Sequence, residues 1–121
     1  MPEFIKVSST GTFFSLSIKY KEILDMVIAD IAVMPLRPYG CEEEMYKIVD
    51  ECIELAKKSG LKYEIGANST TIEGDLDDVF ELSKKIHLLP FELGCERVIT
   101  IVRVDQKKGG ITIDEKLQHH R

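Results

Sequence analysis

The 121-residue sequence lacks most of the patterns that announce a chemistry. No apolar run approaches the ~18 residues needed to cross a bilayer, so no membrane span is expected. No G-x-S-x-G is present. The pair Gly109-Gly110 has no Walker or Rossmann context, and no acid–base–nucleophile set stands out. An enzyme is therefore not expected, and neither is a bound cofactor. The cysteines, Cys41, Cys52 and Cys95, are odd in number, widely spaced and without a C-x-x-C, which fits small buried or surface thiols in a reducing cytoplasm. Together with His87, His119 and His120 they lack the paired spacing of a zinc site. Basic residues are in deficit, 16 Lys and Arg against 21 Asp and Glu, for a net charge of -5. That balance excludes a general nucleic-acid binder, whose contact face must answer the phosphate charge.

What is present suits one soluble domain: 44% hydrophobic and 31% charged residues, in a chain long enough to bury roughly two-thirds of its unfolded surface. Residues 1–25 differ from the rest. They follow neither a helical nor a strand period, and they carry equal numbers of acidic and basic residues. As a signal peptide their apolar stretch is too short and no cleavage site follows. Lys21-Glu22 could be encoded as a ribosome-binding sequence ahead of Met26, and Glu3-Phe4 is what a common cloning site encodes. The segment is expected to be an N-terminal extension made of translated upstream or cloning sequence; the alternative is an authentic arm that pairs or packs.

From Met26 the pattern is regular. Val27–Met34 is rich in β-branched residues without strict alternation, which predicts a strand buried on both faces. Pro35 and Pro38 in "PLRPYG" should end it. Glu42, Glu43 and Glu44 suit a helix N-terminus, and Met45, Ile48, Val49, Cys52, Ile53, Leu55 and Ala56 form its apolar stripe. Lys57, Lys58 and Gly60 close it. Leu61, Tyr63 and Ile65 alternate with Lys62 and Glu64, and a turn at 66–68 returns the chain as a hairpin. Asp75 is placed to cap a second helix lined by Leu76, Val79, Phe80, Ser83, Ile86 and His87, which Pro90 should end or kink. Val98–Val104 is the fourth strand. Thr112 and Glu115 match the capping box of a short C-terminal helix. The order β-α-β-β-α-β predicts an α+β, ferredoxin-like fold, an antiparallel sheet with two helices on one face.

Such a sheet has an open face. Ile99 and Ile101 would lie on the side opposite Val98, Val102 and Val104, and strand one is apolar on both sides. Uncovered apolar surface of that size is uncommon on monomers, so a second copy of the chain is expected to cover it. An RNA-recognition module shares this topology but stacks bases on strand aromatics, which strands one and four lack.

The stretch "NSTTIEGD" (68–75) is the densest run of hydrogen-bonding groups. By alternation Thr70, Ile72 and Gly74 share one face, and Ser69, Thr71 and Glu73 the other, with Lys62 and Glu64 across the hairpin. Gly66 and Gly74 would let backbone approach a ligand. The run reads equally as a solvated strand edge or as the wall of a pocket for a small heteroaromatic molecule.

Four segments in order, "VIADIAVMPL", "SGLKYEIGANSTTIEGDLDDV", "RVITIVRVD" and "KKGGITIDEKL", resemble the small thiamine-binding-protein family related to the YkoF proteins. The resemblance covers residues 26–121 and is strongest between Gly60 and Asp78. It implies binding of thiamine or its hydroxymethylpyrimidine part without catalysis, and dimers that assemble into tetramers. It also implies Asn68, Ser69, Thr71 and Glu73 as pocket residues with Tyr63 and Glu64 as neighbours. Two features depart from the family pattern. Pro90 falls in a helix that is usually continuous, and "PLRPYG" replaces small residues; were that loop to rim the pocket, Pro38 and Tyr39 would narrow it and Arg37 would favour an anionic group such as a phosphate. The resulting expectation is a cytoplasmic binder of a thiamine-like molecule, homodimeric or homotetrameric. The alternative is an oligomeric structural or regulatory module that contacts another protein without a small ligand.

Overall fold

The computed structural model describes residues 26–37 and 41–121, with only the backbone of Arg37. The expectation for residues 1–25, and the side chains of Arg37, Pro38 and Tyr39, lie outside the described residues. In chain order the elements are β1 (Val27–Arg37), α1 (Glu42–Lys58), β2 (Lys62–Ile65), β3 (Thr70–Gly74), α2 (Leu76–Glu92), β4 (Arg97–Gln106) and α3 (Ile113–Leu117). The strands form one antiparallel sheet in the order β2-β3-β1-β4. This is the ferredoxin-like arrangement expected from the sequence, short final helix included.

Alternation sorts the side chains between two faces. Val27, Ala29 and Ile31 of β1 and Ile72 of β3 are buried against Cys52 and Ala56 of α1 and Val79, Leu82 and Ile86 of α2, with Val102 and Val104 of β4 packed alongside. The first turns of α1 stand clear of this core: Met45, expected on the buried stripe, is exposed. On α2 the inward positions are Val79, Leu82, Ser83, Ile86 and Pro90, so Leu82 takes the place predicted for Phe80, which is 52% exposed.

The helix ends follow their sequence signals. Asp75 caps α2 by accepting the Asp78 N–H at 2.8 Å, and Thr112 caps α3 by accepting the Glu115 N–H at 3.1 Å. Gly60, just past α1, has φ +84°, the left-handed conformation that terminates helices at low cost in glycine.

Two prolines behave differently from expectation. β1 runs through Pro35 to Arg37, with a register irregularity between them. β3 pairs with β1 only as far as Ile31, so beyond that point β1 has, among the described residues, a neighbour on one side only, where a missing N–H is tolerated. Pro90 is fully buried inside α2, and the helix continues to Glu92. A proline there deprives the Ile86 carbonyl of its helical donor. The buried Cys52 thiol, from α1, donates to that carbonyl at 3.6 Å instead.

Candidate functional site

The face of the sheet away from α1 and α2 is organised in rungs that cross the strands. One rung joins Glu64, Thr71, Asp30 and Arg103, one residue from each strand. The next joins Lys62, Glu73, Ile28 and Asp105. On the other side of the polar rung the β1–β4 pairs are apolar, Ala32 with Ile101 and Met34 with Ile99. Met34, Ile99 and Ile101 are exposed.

The helix α3 lies over the second rung. Its first N–H, on Ile113, donates to Glu73 Oε1 at 2.7 Å in a buried bond. Lys62 pairs with Asp114, and Lys116 with Asp105 at 2.6 Å. Arg121 pairs with Glu64 and, at 3.2 Å, with Asp114. The hydrogen bond and charge of Lys62, helped by Arg121, hold the Asp114 carboxyl below its ordinary pKa of 3.8.

Where α3 meets the polar rung a recess of about 160 Å³ opens, lined by Ile28, Asp30, Glu64, Thr71, Ile113, Lys116 and Leu117. Three of its walls are aliphatic, and its floor is polar. Thr71 Oγ1 donates to Asp30 Oδ1 at 2.9 Å, while Arg103 donates to Asp30 Oδ2. Asp30 is thereby fixed with its oxygens presented along the rung. Apolar walls, two carboxylates, one hydroxyl and the single ammonium of Lys116 leave acid in excess, an inventory that suits a flat heterocycle bearing amino groups or positive charge.

The predicted site residues divide between several places. Thr71 and Glu64 meet in the recess, paired across the hairpin as alternation required. Glu73 shares their face, but its carboxylate is 8% exposed and engaged with α3. Asn68 and Ser69 line a separate cavity of about 90 Å³ on the α1 side, with Ile31, Val49, Cys52 and Ile86 among its walls. Tyr63 pairs with Ile72, so it belongs to the helix-facing side of edge strand β2 and is 41% exposed. Arg37 pairs with Arg97 at the far end of β1, seven residues from Asp30 and so about 23 Å along the strand. Gly74 serves packing: a Cβ there would lie 3.1 Å from Leu61 Cδ2. A larger groove, about 320 Å³ between α1 and α2, is rimmed by Lys58, Lys85, Asp78 and Glu81 and holds none of the predicted residues.

Asp30, Arg103, Lys116 and Ile28 did not emerge from the sequence as site residues. A signal existed for Asp30: it is the only charge inside the apolar run "VIADIAVMP". A carboxylate in a strand buried on both faces needs a partner or a task.

The sequence model of a family described as thiamine-binding protein matches residues 29–121. A UPF0045 protein of Clostridium perfringens is 44% identical over 80 residues, which are 66% of this chain and 84% of that protein. Among solved structures, a Bacillus cereus domain of unknown function (DUF77) superposes with a TM-score of 0.73 at 34% identity, covering 79% of this chain and 90% of that one. A Thermotoga maritima protein assigned provisionally to thiamine biosynthesis or salvage superposes with a TM-score of 0.70 at 30% identity, covering 79% of this chain and 99% of the other.

Proposed function

The chain belongs to the thiamine-binding protein family, and from that premise we propose that it binds thiamine or a hydroxymethylpyrimidine-like molecule in the recess between the polar rung and α3, without transforming it. The observation that carries this reading is the rung itself. Asp30 and Glu64 flank the Thr71 hydroxyl beneath the aliphatic side chains of Ile28, Ile113 and Leu117. An aminopyrimidine would lay its ring against the aliphatic wall, give its amino hydrogens to Asp30, and exchange a hydrogen bond with Thr71. A cationic ring would take Glu64 in place of Arg121. In this reading Glu73 acts indirectly, holding α3 as the wall. Asn68, Ser69 and Tyr63 lie outside the recess and the Arg37 backbone is distant from it, and a direct role for them requires a second copy of the chain. The unit we propose to be sufficient is residues 26–121, in a cytoplasmic protein that carries, stores or delivers its ligand.

Calorimetric titration with thiamine and hydroxymethylpyrimidine tests the proposal. Saturable binding is expected, and Thr71→Val combined with Glu64→Gln should abolish it while the melting temperature holds. Undiminished binding by the double variant would exclude this recess, and absence of binding by the parent chain would exclude the ligand class.

The exposed row of Met34, Ile99 and Ile101 supports a further element, self-association over the open face. It also favours the alternative of a protein-contacting module, which would be preferred if a stoichiometric protein partner, and no metabolite, came with the natural protein.

A further inference from the structure

Beside the recess lies a second, more polar one of about 410 Å³, lined by Ile28, Asp30, Arg103, Val104, Asp105 and Lys116. The two share Ile28, Asp30 and Lys116 as a common wall. Neither by itself suits a ligand that carries both a ring and an anionic group. The first is smaller than the roughly 300–1,000 Å³ of ordinary ligand pockets, and the second has little apolar surface to hold a ring. Their shared lining makes them neighbours on the open face.

Charge changes along this path. The first recess presents Asp30 and Glu64 with Lys116, so acid exceeds base. The second presents Asp30 and Asp105 with Arg103 and Lys116, so the two signs balance. Movement from one to the other adds positive charge. Arg103 is the accessible member: its side chain is 80% exposed although it pairs with Asp30, whose side chain is 26% exposed. With the guanidinium this open to solvent, Arg103 can exchange partners while Thr71 keeps its bond to Asp30.

Resting on the ligand class proposed above, we infer that the neighbouring recesses select a phosphorylated form of that ligand, a zwitterion with a cationic or amino-bearing ring in the first recess and a phosphate in the second. Binding proceeds by exchange of ion pairs. The ring takes Asp30, Arg103 leaves Asp30, and its guanidinium receives the phosphate, which suits its planar donor fork. Lys116 stands on the common wall and contributes a second cation. No buried charge is left without a partner at either stage. The assignment moves anion selection from Arg37, distant along β1, to Arg103.

The test is calorimetric titration of the full chain with thiamine and with thiamine monophosphate, for the parent, Arg103→Gln and Lys116→Gln. The parent should bind the monophosphate about tenfold more tightly than thiamine, the effect of one charge-assisted contact. Arg103→Gln should reverse the order, weakening the monophosphate and strengthening thiamine, because Asp30 is released to the ring. Lys116→Gln should narrow the preference without reversing it. Arg103 is exposed, so its loss should leave the melting temperature in place. Equal or weaker binding of the monophosphate by the parent, or a preference that survives Arg103→Gln, would overturn the inference and leave the thiamine reading standing. Binding of neither compound would end both.

Discussion

Replacing Glu73 with alanine isolates what holds the wall of the recess. In the folded chain Glu73 Oε1 accepts the Ile113 N–H at 2.7 Å, away from water. Without that acceptor the N–H is either orphaned in place, at about 1–3 kcal/mol, or carried into solvent by undocking α3. Undocking has its own cost. Ile113 is 2% exposed, and uncovering such a side chain costs about 1.5–3 kcal/mol. The pairs of Lys62, Lys116 and Arg121 are half-exposed and screened by solvent, so they add little. The lost bond is thus a substantial part of what keeps α3 down. Glu73→Ala should therefore release this helix ahead of the sheet. Hydrogen exchange reads it directly: a loss of about 2 kcal/mol lowers amide protection in Ile113–Leu117 roughly 30-fold, while the β1 and β4 amides change less. Glu73→Gln keeps an acceptor of the same length and should fall between. Protection in α3 that changes by less than about threefold in the alanine variant would refute the anchoring role.

Other consequences can be measured independently. Because the Asp114 carboxyl is held below its ordinary 3.8, its pairing stabilises the fold fully above that value and is lost as pH falls through the lower folded-state pKa; carbon-detected NMR should show Asp114 titrating below 3.8, and Lys62→Ala should return it upward, whereas an unmoved titration would show the pair to be idle. Burial, aided by Cys95 and Glu51, pushes the Cys52 thiol up to about 11, so at pH 8 only about one part in a thousand is thiolate; alkylation followed by mass spectrometry should mark exposed Cys41 first, and equal labelling of Cys52 would contradict its packing. If the open face is covered by a second copy, Ile101→Lys should lower the sedimentation mass to that of one chain, and a parent chain already monomeric would remove the proposed interface.

Much of the fold was legible because its signals are local. The Asp75 and Thr112 caps, Gly60 past α1, and the alternation that placed Thr71 and Glu73 opposite Lys62 and Glu64 all follow from nearest-neighbour geometry. What failed depended on distant partners. Pro35 was expected to end β1, yet whether a strand tolerates proline depends on which neighbour strands reach it. Pro90 was expected to interrupt α2, yet the thiol that compensates for it comes from α1. The site divides in the same way. "NSTTIEGD" pointed to Thr71, which lines the recess, but period two along one strand cannot say that α3 will claim Glu73, or that Asn68 and Ser69 will line another cavity. Asp30 and Arg103 meet only through the β1–β4 register, which no single segment contains.

The contact between Cys52 and the Ile86 carbonyl has a consequence for how this chain can change over time. Residues 52 and 90 occupy different helices, yet they form one unit of heredity. As long as position 90 is proline, alanine or valine at position 52 would take from the buried Ile86 carbonyl the thiol that now meets it. Once position 90 acquires an N–H, the helix satisfies Ile86 by itself and position 52 is released to any small apolar residue. The expected order of events is that the proline goes first. In a set of related sequences the two columns should drift together, with donors at 52 confined to chains that keep the proline and apolar residues at 52 appearing only where it has been lost.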